Sequence, residues 1–77
     1  MQNKVHNRVR FYRKQLNLTQ EQFAGKLKVS RQTIIAIENE KYNPTLALAL
    51  NISKLLNKPL ETIFSLDEDF SPPAPPK

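Results

Sequence analysis

Two side chains able to address the edges of nucleic-acid bases stand next to each other in this sequence. Arg31 and Gln32 follow Ser30 directly and precede a short apolar segment. A guanidinium can donate two parallel hydrogen bonds to guanine O6 and N7, and a carboxamide can pair in the same bidentate way with adenine N6 and N7. Each such pair discriminates against the wrong base by roughly 1–3 kcal/mol. Other chemistries find little support. His6 is the single histidine and lies near the N-terminus, with no evident base or metal partner. There is no cysteine, hence neither a thiolate ligand nor a disulfide. Asp67, Glu68 and Asp69 form an acidic run, but three consecutive neighbours make a poor metal cage. Gly25 is the only glycine, which excludes a glycine-rich phosphate loop. Neither an enzyme nor a cofactor is expected.

Side chains that read bases need a rigid support, and the chain punctuates itself as an all-α protein. Val5, Val9, Tyr12 and Leu16 recur at 3- and 4-residue spacing and predict a first helix over about 4–16. Asn17 suits the left-handed exit of that helix. Thr19 with Gln22 forms a capping-box pattern that opens a second helix, whose apolar positions are Phe23, Ala24 and Leu27. Ser30 caps a third helix with Ile34 and Ile37 inward. Ile35 and Ala36 then look outward beside Arg31 and Gln32, where an isoleucine suits a thymine methyl. Only Lys28 and Val29 separate the second and third helices, which forces a tight angular pair at about 19–38.

Asn43-Pro44 predicts an extended turn, because proline disfavours the helical region for its predecessor. Thr45 caps a fourth helix to about Leu56, and Pro59 begins a short fifth helix through about Leu66. No stretch alternates like a strand. The expected organisation is one domain over 1–66 and an acidic, then proline-rich, tail over 67–77.

The chain has 77 residues and a net charge of +5, and the charge is unevenly spread. Residues 1–41 hold nine basic side chains against Glu21, Glu38 and Glu40, whereas residues 42–77 hold three against four acidic ones. A polyanion docking on one end of the molecule fits that asymmetry, as does an ordinary solvated basic surface. No apolar run approaches the roughly 20 residues of a membrane span, and a cytoplasmic protein is expected.

Leu18-Thr19-Gln20-Glu21-Gln22-Phe23-Ala24, then Val29-Ser30-Arg31-Gln32-Thr33-Ile34, Ile37-Glu38-Asn39 and Lys41-Tyr42-Asn43-Pro44 occur in this order. Over about Asn7 to Phe64 the chain resembles the Cro/CI-type (XRE) helix-turn-helix regulators. The resemblance implies a five-helix, lambda-repressor-like DNA-binding domain whose third helix enters the major groove. It implies that Gln20 grips the DNA backbone, at a helix start where free N–H groups already favour an anion. It implies a structural ion pair between Arg13 and Glu38. Lys28, Thr33, Asn39, Lys41, Tyr42 and Asn43 flank the third helix as further phosphate contacts, setting register rather than sequence preference. The family usually has glycine at positions 28 and 40, where φ is positive, and an apolar residue at 58. Lys28 can offset the backbone cost by reaching a phosphate. Glu40 would repel one.

The fourth helix is apolar over a wide arc. Leu46, Leu48, Ala49, Leu50, Ile52, Ser53, Leu55 and Leu56 leave only Ala47, Asn51 and Lys54 outside, against an arc of about 100° or somewhat more that a core-facing helix needs. Either the helix is buried on several sides, or its surplus, with Phe64, Leu66 and Phe70, forms a C-terminal homodimer interface. A dimer would set two reading helices about 34 Å apart on a palindromic operator. Phe11 lies off the first helical stripe, as a partner contact or a lone exposed aromatic.

The function expected is a sequence-specific double-stranded DNA-binding transcriptional regulator, a repressor, with no membrane role and no small-molecule effector. The alternative is an antitoxin-like or adaptor module that holds a protein partner through Phe11, the fourth helix and the tail.

Overall fold

Side-chain caps set the N-terminal borders of three of the five helices in the computed structural model, which describes residues 4–70. In chain order the elements are β1 (His6–Asn7), α1 (Val9–Gln15), α2 (Gln20–Leu27), α3 (Arg31–Glu38), α4 (Leu46–Leu56), α5 (Leu60–Ile63) and β2 (Phe64–Ser65). Thr19 Oγ1 accepts the Gln22 N–H at 3.0 Å, and Gln22 Oε1 accepts the Thr19 N–H at 2.9 Å, completing the capping box of α2. Ser30 Oγ accepts from the Thr33 N–H at 3.1 Å, and Thr45 Oγ1 from the Leu48 N–H at 3.2 Å. Each satisfies a backbone donor that the first helical turn leaves without an intrahelical partner.

The exits of α1 to α4 are left-handed. Lys28 closes α2 at φ 59° and Asn57 closes α4 at φ 56°, while Asn17 and Glu40 turn the chain after α1 and α3 at φ 58° and 59°. Asparagine tolerates this region through local hydrogen bonding; lysine and glutamate carry the full steric penalty.

The core lies where one face of each helix converges. Val9, Phe23, Ile34, Ile37, Ile52 and Ile63 are fully buried, and Tyr12, Ala24 and Leu56 complete the cluster. Burying side chains of this size contributes roughly 1.5–3 kcal/mol each, which is what holds so small a domain together.

Four features depart from the sequence-based expectations. First, α1 begins at Val9, not near residue 4, because the preceding segment is taken by a sheet. His6 pairs with Ser65 and Asn7 with Phe64 in an antiparallel β1–β2 ladder. Asn7 Oδ1 accepts the Val9 N–H at 3.1 Å and so starts the helix from two residues upstream. Second, α5 stops at Ile63 for the same reason, since Phe64 and Ser65 are extended partners of β1. Two-residue strands are too short to alternate visibly. Third, Leu16 follows α1 as its C-terminal cap and is 47% exposed, whereas Arg13 is buried on the core side.

Fourth, the phenylalanines are absorbed by the fold. Phe11 packs against the core and meets Tyr12 edge-on, with ring centroids 5.1 Å apart. Phe64 also packs on the core, and Phe70 lies under the Arg8 guanidinium at 3.9 Å. Lys58 brings its ammonium to 5.4 Å from the Tyr12 ring centroid, a cation–π contact where a usual apolar residue is replaced. On α4, Ala49, Ile52 and Leu56 are buried while Leu48 and Leu55 pack against the core, and all five lie on one arc of about 120° at 100° per residue, so a single face of the helix is covered. The surplus narrows to Leu46, 70% exposed, and Leu50, 51% exposed, while Leu66, 57% exposed, follows β2. The proline-rich end, 71–77, lies outside the described residues. Among those described, no helix is long and apolar enough to cross a membrane.

Candidate nucleic-acid interface

Ile34 and Ile37 anchor α3 in the core, and the helix therefore presents its opposite side and its N-terminal tip outward. Arg31 and Gln32 are exposed at that tip, immediately after the Ser30 cap. Ile35 and Ala36 are half-buried along the flank, more sheltered than an outward position implies. The Thr33 hydroxyl lies 2.9 Å from Ser30 Oγ, tied back to the cap. Lys28 is exposed at the turn before α3; Asn39, Lys41, Tyr42 and Asn43 are exposed after it. A polar cleft of about 440 Å³ between the heads of α2 and α3 is lined by Arg13, Thr19, Gln20, Glu21 and Arg31. The fold thus brings Gln20 and Arg31 to one cleft.

Behind the cleft sits a carboxylate with no access to solvent. Glu38 Oε2 accepts from Arg13 Nε at 2.6 Å, and Oε1 accepts from Arg13 Nη2 at 3.2 Å and from Gln20 Nε2 at 3.1 Å. Arg10 Nε stands 3.5 Å from the same Oε1, on the solvent side. Arg13 Nη1 also donates to the Leu18 carbonyl at 2.7 Å. One carboxylate therefore joins α1, α2 and α3. Burial alone would raise the Glu38 carboxyl, but the hydrogen bonds from Arg13 and Gln20, the Arg13 charge and Arg10 outweigh it and hold the group below the usual carboxylate range. The Gln20 amide nitrogen is committed to this network rather than pointing free into solvent.

A second carboxylate pins the N-terminal segment. Glu40 Oε2 accepts the Asn7 N–H at 3.1 Å, while Oε1 lies 3.2 Å from His6 Nδ1 and 3.5 Å from Lys4 Nζ. Partial burial pushes the Glu40 carboxyl up; the Asn7 N–H, His6 and Lys4 more than reverse this, and the group ionises below its ordinary range. His6, which the sequence leaves without a partner, thus has one. Sequence reasoning missed Lys4, His6, Asn7 and Arg10 as members of these networks. No short-range signal could have found the Asn7–Glu40 contact, because its partners are 33 positions apart. The acidic run Asp67–Asp69 is exposed, and no group of residues able to hold a metal ion occurs among the described residues.

The geometry has counterparts among known proteins. The helix-turn-helix family model matches residues 9–63. The chain is 52% identical over 65 residues to an HTH-type transcriptional regulator of Methanocaldococcus jannaschii, spanning 84% of this chain and 98% of that protein. It is 50% identical over 62 residues to another from Methanothermobacter thermautotrophicus, spanning 79% and 90%. A similar protein of Bacillus subtilis, the HTH-type transcriptional regulator YgzD, is 38% identical over 65 residues, spanning 84% and 98%. With α2, the Lys28–Val29 turn and α3 all inside the matched span, the chain belongs to the Cro/CI-type (XRE) family of helix-turn-helix transcriptional regulators.

Proposed function

We propose that this protein is a DNA-binding transcriptional repressor, not an enzyme, that works in the cytoplasm and reads double-stranded DNA through the tip of α3. The observation that carries this reading is the exposure of Arg31 and Gln32 on a helix whose other face is locked into the core by Ile34 and Ile37. Arg31 pairs with a guanine and Gln32 with an adenine in the major groove, while Ile35 and Ala36 line the apolar side of the same contact. Gln20, Lys28, Thr33, Asn39, Lys41, Tyr42 and Asn43 contact phosphates on either side. Arg13 and Glu38 act structurally, fixing the angle between α1 and α3.

Two copies bind a palindromic operator as a homodimer. Leu46 and Leu50, large apolar side chains left exposed on α4, support an interface on the C-terminal helices. Selection of bound fragments from random duplexes tests the whole reading. A palindrome with half-sites about one helical turn apart is the expected product. Recovery of no preferred sequence would refute base reading.

The exposed leucines also favour a second reading, in which the same surface holds a partner protein and DNA binding is secondary. Phe11 and Phe70 lend it no support, since both are occupied within the fold. Under that reading, changing Leu46 or Leu50 abolishes activity while loss of Arg31 and Gln32 does not.

A further inference from the structure

We propose that residues 4–7 form a strap that positions the loop after α3, and that Glu40 is the positioning residue that holds it. The inference rests on the DNA-binding reading above, because the loop in question carries Lys41, Tyr42 and Asn43.

The backbone at Glu40 is left-handed, with φ 59°. Glycine adopts that conformation without steric penalty, whereas a residue bearing a Cβ does not. A glutamate there needs an offsetting gain, and its carboxylate supplies one. It accepts the Asn7 N–H at 3.1 Å and draws in His6 Nδ1 at 3.2 Å and Lys4 Nζ at 3.5 Å. Asn7 reinforces the attachment, donating from Nδ2 to the Ile37 carbonyl at 2.8 Å in the last turn of α3. On its other edge the strap pairs with Phe64 and Ser65, and the Arg8 N–H donates to the Ile63 carbonyl at 2.8 Å. The C-terminal end of α3 is thereby stitched, through the strap, to the last strand of the fold.

Two consequences reach the loop. The Glu40 N–H donates to the Ile37 carbonyl and the Lys41 N–H to the Ala36 carbonyl, both at 2.9 Å, so the turn is held by its backbone. The carboxylate fixes it from the side-chain end as well, leaving the direction of residues 41–43 little freedom. The strap also settles an electrostatic conflict. A free Glu40 would repel phosphates beside Lys41; here its side chain is only 23% exposed, is countered by the Lys4 ammonium and is occupied by the Asn7 N–H and His6 Nδ1. Lys4, 61% exposed, adds a positive group next to the loop.

The test compares Glu40→Gly, Glu40→Gln and Asn57→Gly in the full chain. Glu40→Gly removes backbone strain together with the clasp. It is expected to stay folded, to bind the selected operator about tenfold more weakly, and to lose roughly one phosphate contact, about 0.9 in the slope of log K against log salt. Loss of fold stability alone would not change that slope. Glu40→Gln keeps an acceptor for the Asn7 N–H and is expected to retain most of the affinity. Asn57→Gly relieves a left-handed position at the end of α4 and is expected to leave the slope unchanged. Amide spectra of the DNA-free proteins supply a separate readout: Glu40→Gly should shift the Lys41–Asn43 resonances and speed exchange of the Asn7 amide. Unaltered affinity, slope and loop resonances in Glu40→Gly would overturn the proposal. If the wild type bound no duplex at all, the DNA-binding reading would fall, and the amide spectra alone would decide whether the strap positions the loop.

Discussion

Arg13 Nε lies 2.6 Å from Glu38 Oε2, across the junction of α1 and α3, and the carboxylate it meets is wholly withdrawn from water. A buried pair of this kind is weak evidence of net stabilisation, because both charges were desolvated to form it. Breaking it is another matter.

Arg13→Ala would leave Glu38 buried with Gln20 and the distant Arg10 as its remaining partners. The expected loss is about 3–5 kcal/mol, which for a domain this small lowers the melting midpoint by at least roughly 12 °C. Thermal denaturation followed by circular dichroism measures it, and a loss under about 1 kcal/mol would show that the pair is not structurally important.

Acidification should expose the same network. The Glu38 carboxyl is held below its ordinary range in the folded chain, so as pH falls the unfolded chain takes up its proton first. Its stabilising contribution is complete above the unfolded carboxylate value of about 4.3 and disappears as pH drops through the lower folded value. Glu40 acts in the same direction, with less weight because its side chain is partly exposed. Urea melts between pH 7 and pH 3 should show a steep decline in that window. Glu38→Gln should start less stable at neutral pH and decline less steeply.

Arg31→Ala with Gln32→Ala should cost roughly 2–6 kcal/mol of discrimination between the operator and unrelated duplexes if the two contributions add. Weak, salt-sensitive binding should survive, because phosphate contacts supply it. Both residues are exposed, so the melting midpoint should barely change. Competition binding against random DNA distinguishes this from a general loss of affinity.

Lys28→Gly should separate stability from binding. The residue is left-handed at φ 59° and exposed, so glycine is expected to stabilise the fold by about 1 kcal/mol. The same change removes a proposed phosphate contact and should lower the salt slope of DNA binding by about one contact. A variant both more stable and equally salt-dependent would show that Lys28 touches no phosphate.

Leu46→Glu with Leu50→Glu tests the homodimer. Both side chains stand largely in solvent, so the monomer should fold unchanged. Sedimentation velocity should report a shift from dimer to monomer, with a matching loss of operator affinity. A wild type already monomeric at concentrations well above its operator affinity would exclude a preformed dimer.

What the amino-acid sequence determined by itself is the local grammar of the helices. The Thr19–Gln22 box, the Ser30 and Thr45 caps and the inward pairs Ile34/Ile37 and Phe23/Leu27 depend on neighbours three or four positions apart. Interactions of that range are written in the order of residues, so the turn between α2 and α3 and the residues at the α3 tip were legible. The Arg13–Glu38 pairing was legible only through resemblance to a family, since 25 positions separate the two residues.

Only the tertiary structure decided how the two ends of the chain meet. Asn7 pairs with Phe64, shortening both the first and the fifth helices that periodicity alone extends. It also decided that Phe11 turns inward while Leu16 stays wet, and that Glu40 clasps His6 rather than facing a phosphate. Each of these outcomes is set by a partner 30 or more positions away, or by which neighbours happen to cover a given face. Side-chain spacing along one segment carries no information about such partners, because a hydrogen bond or an apolar contact depends on where the chain returns in space.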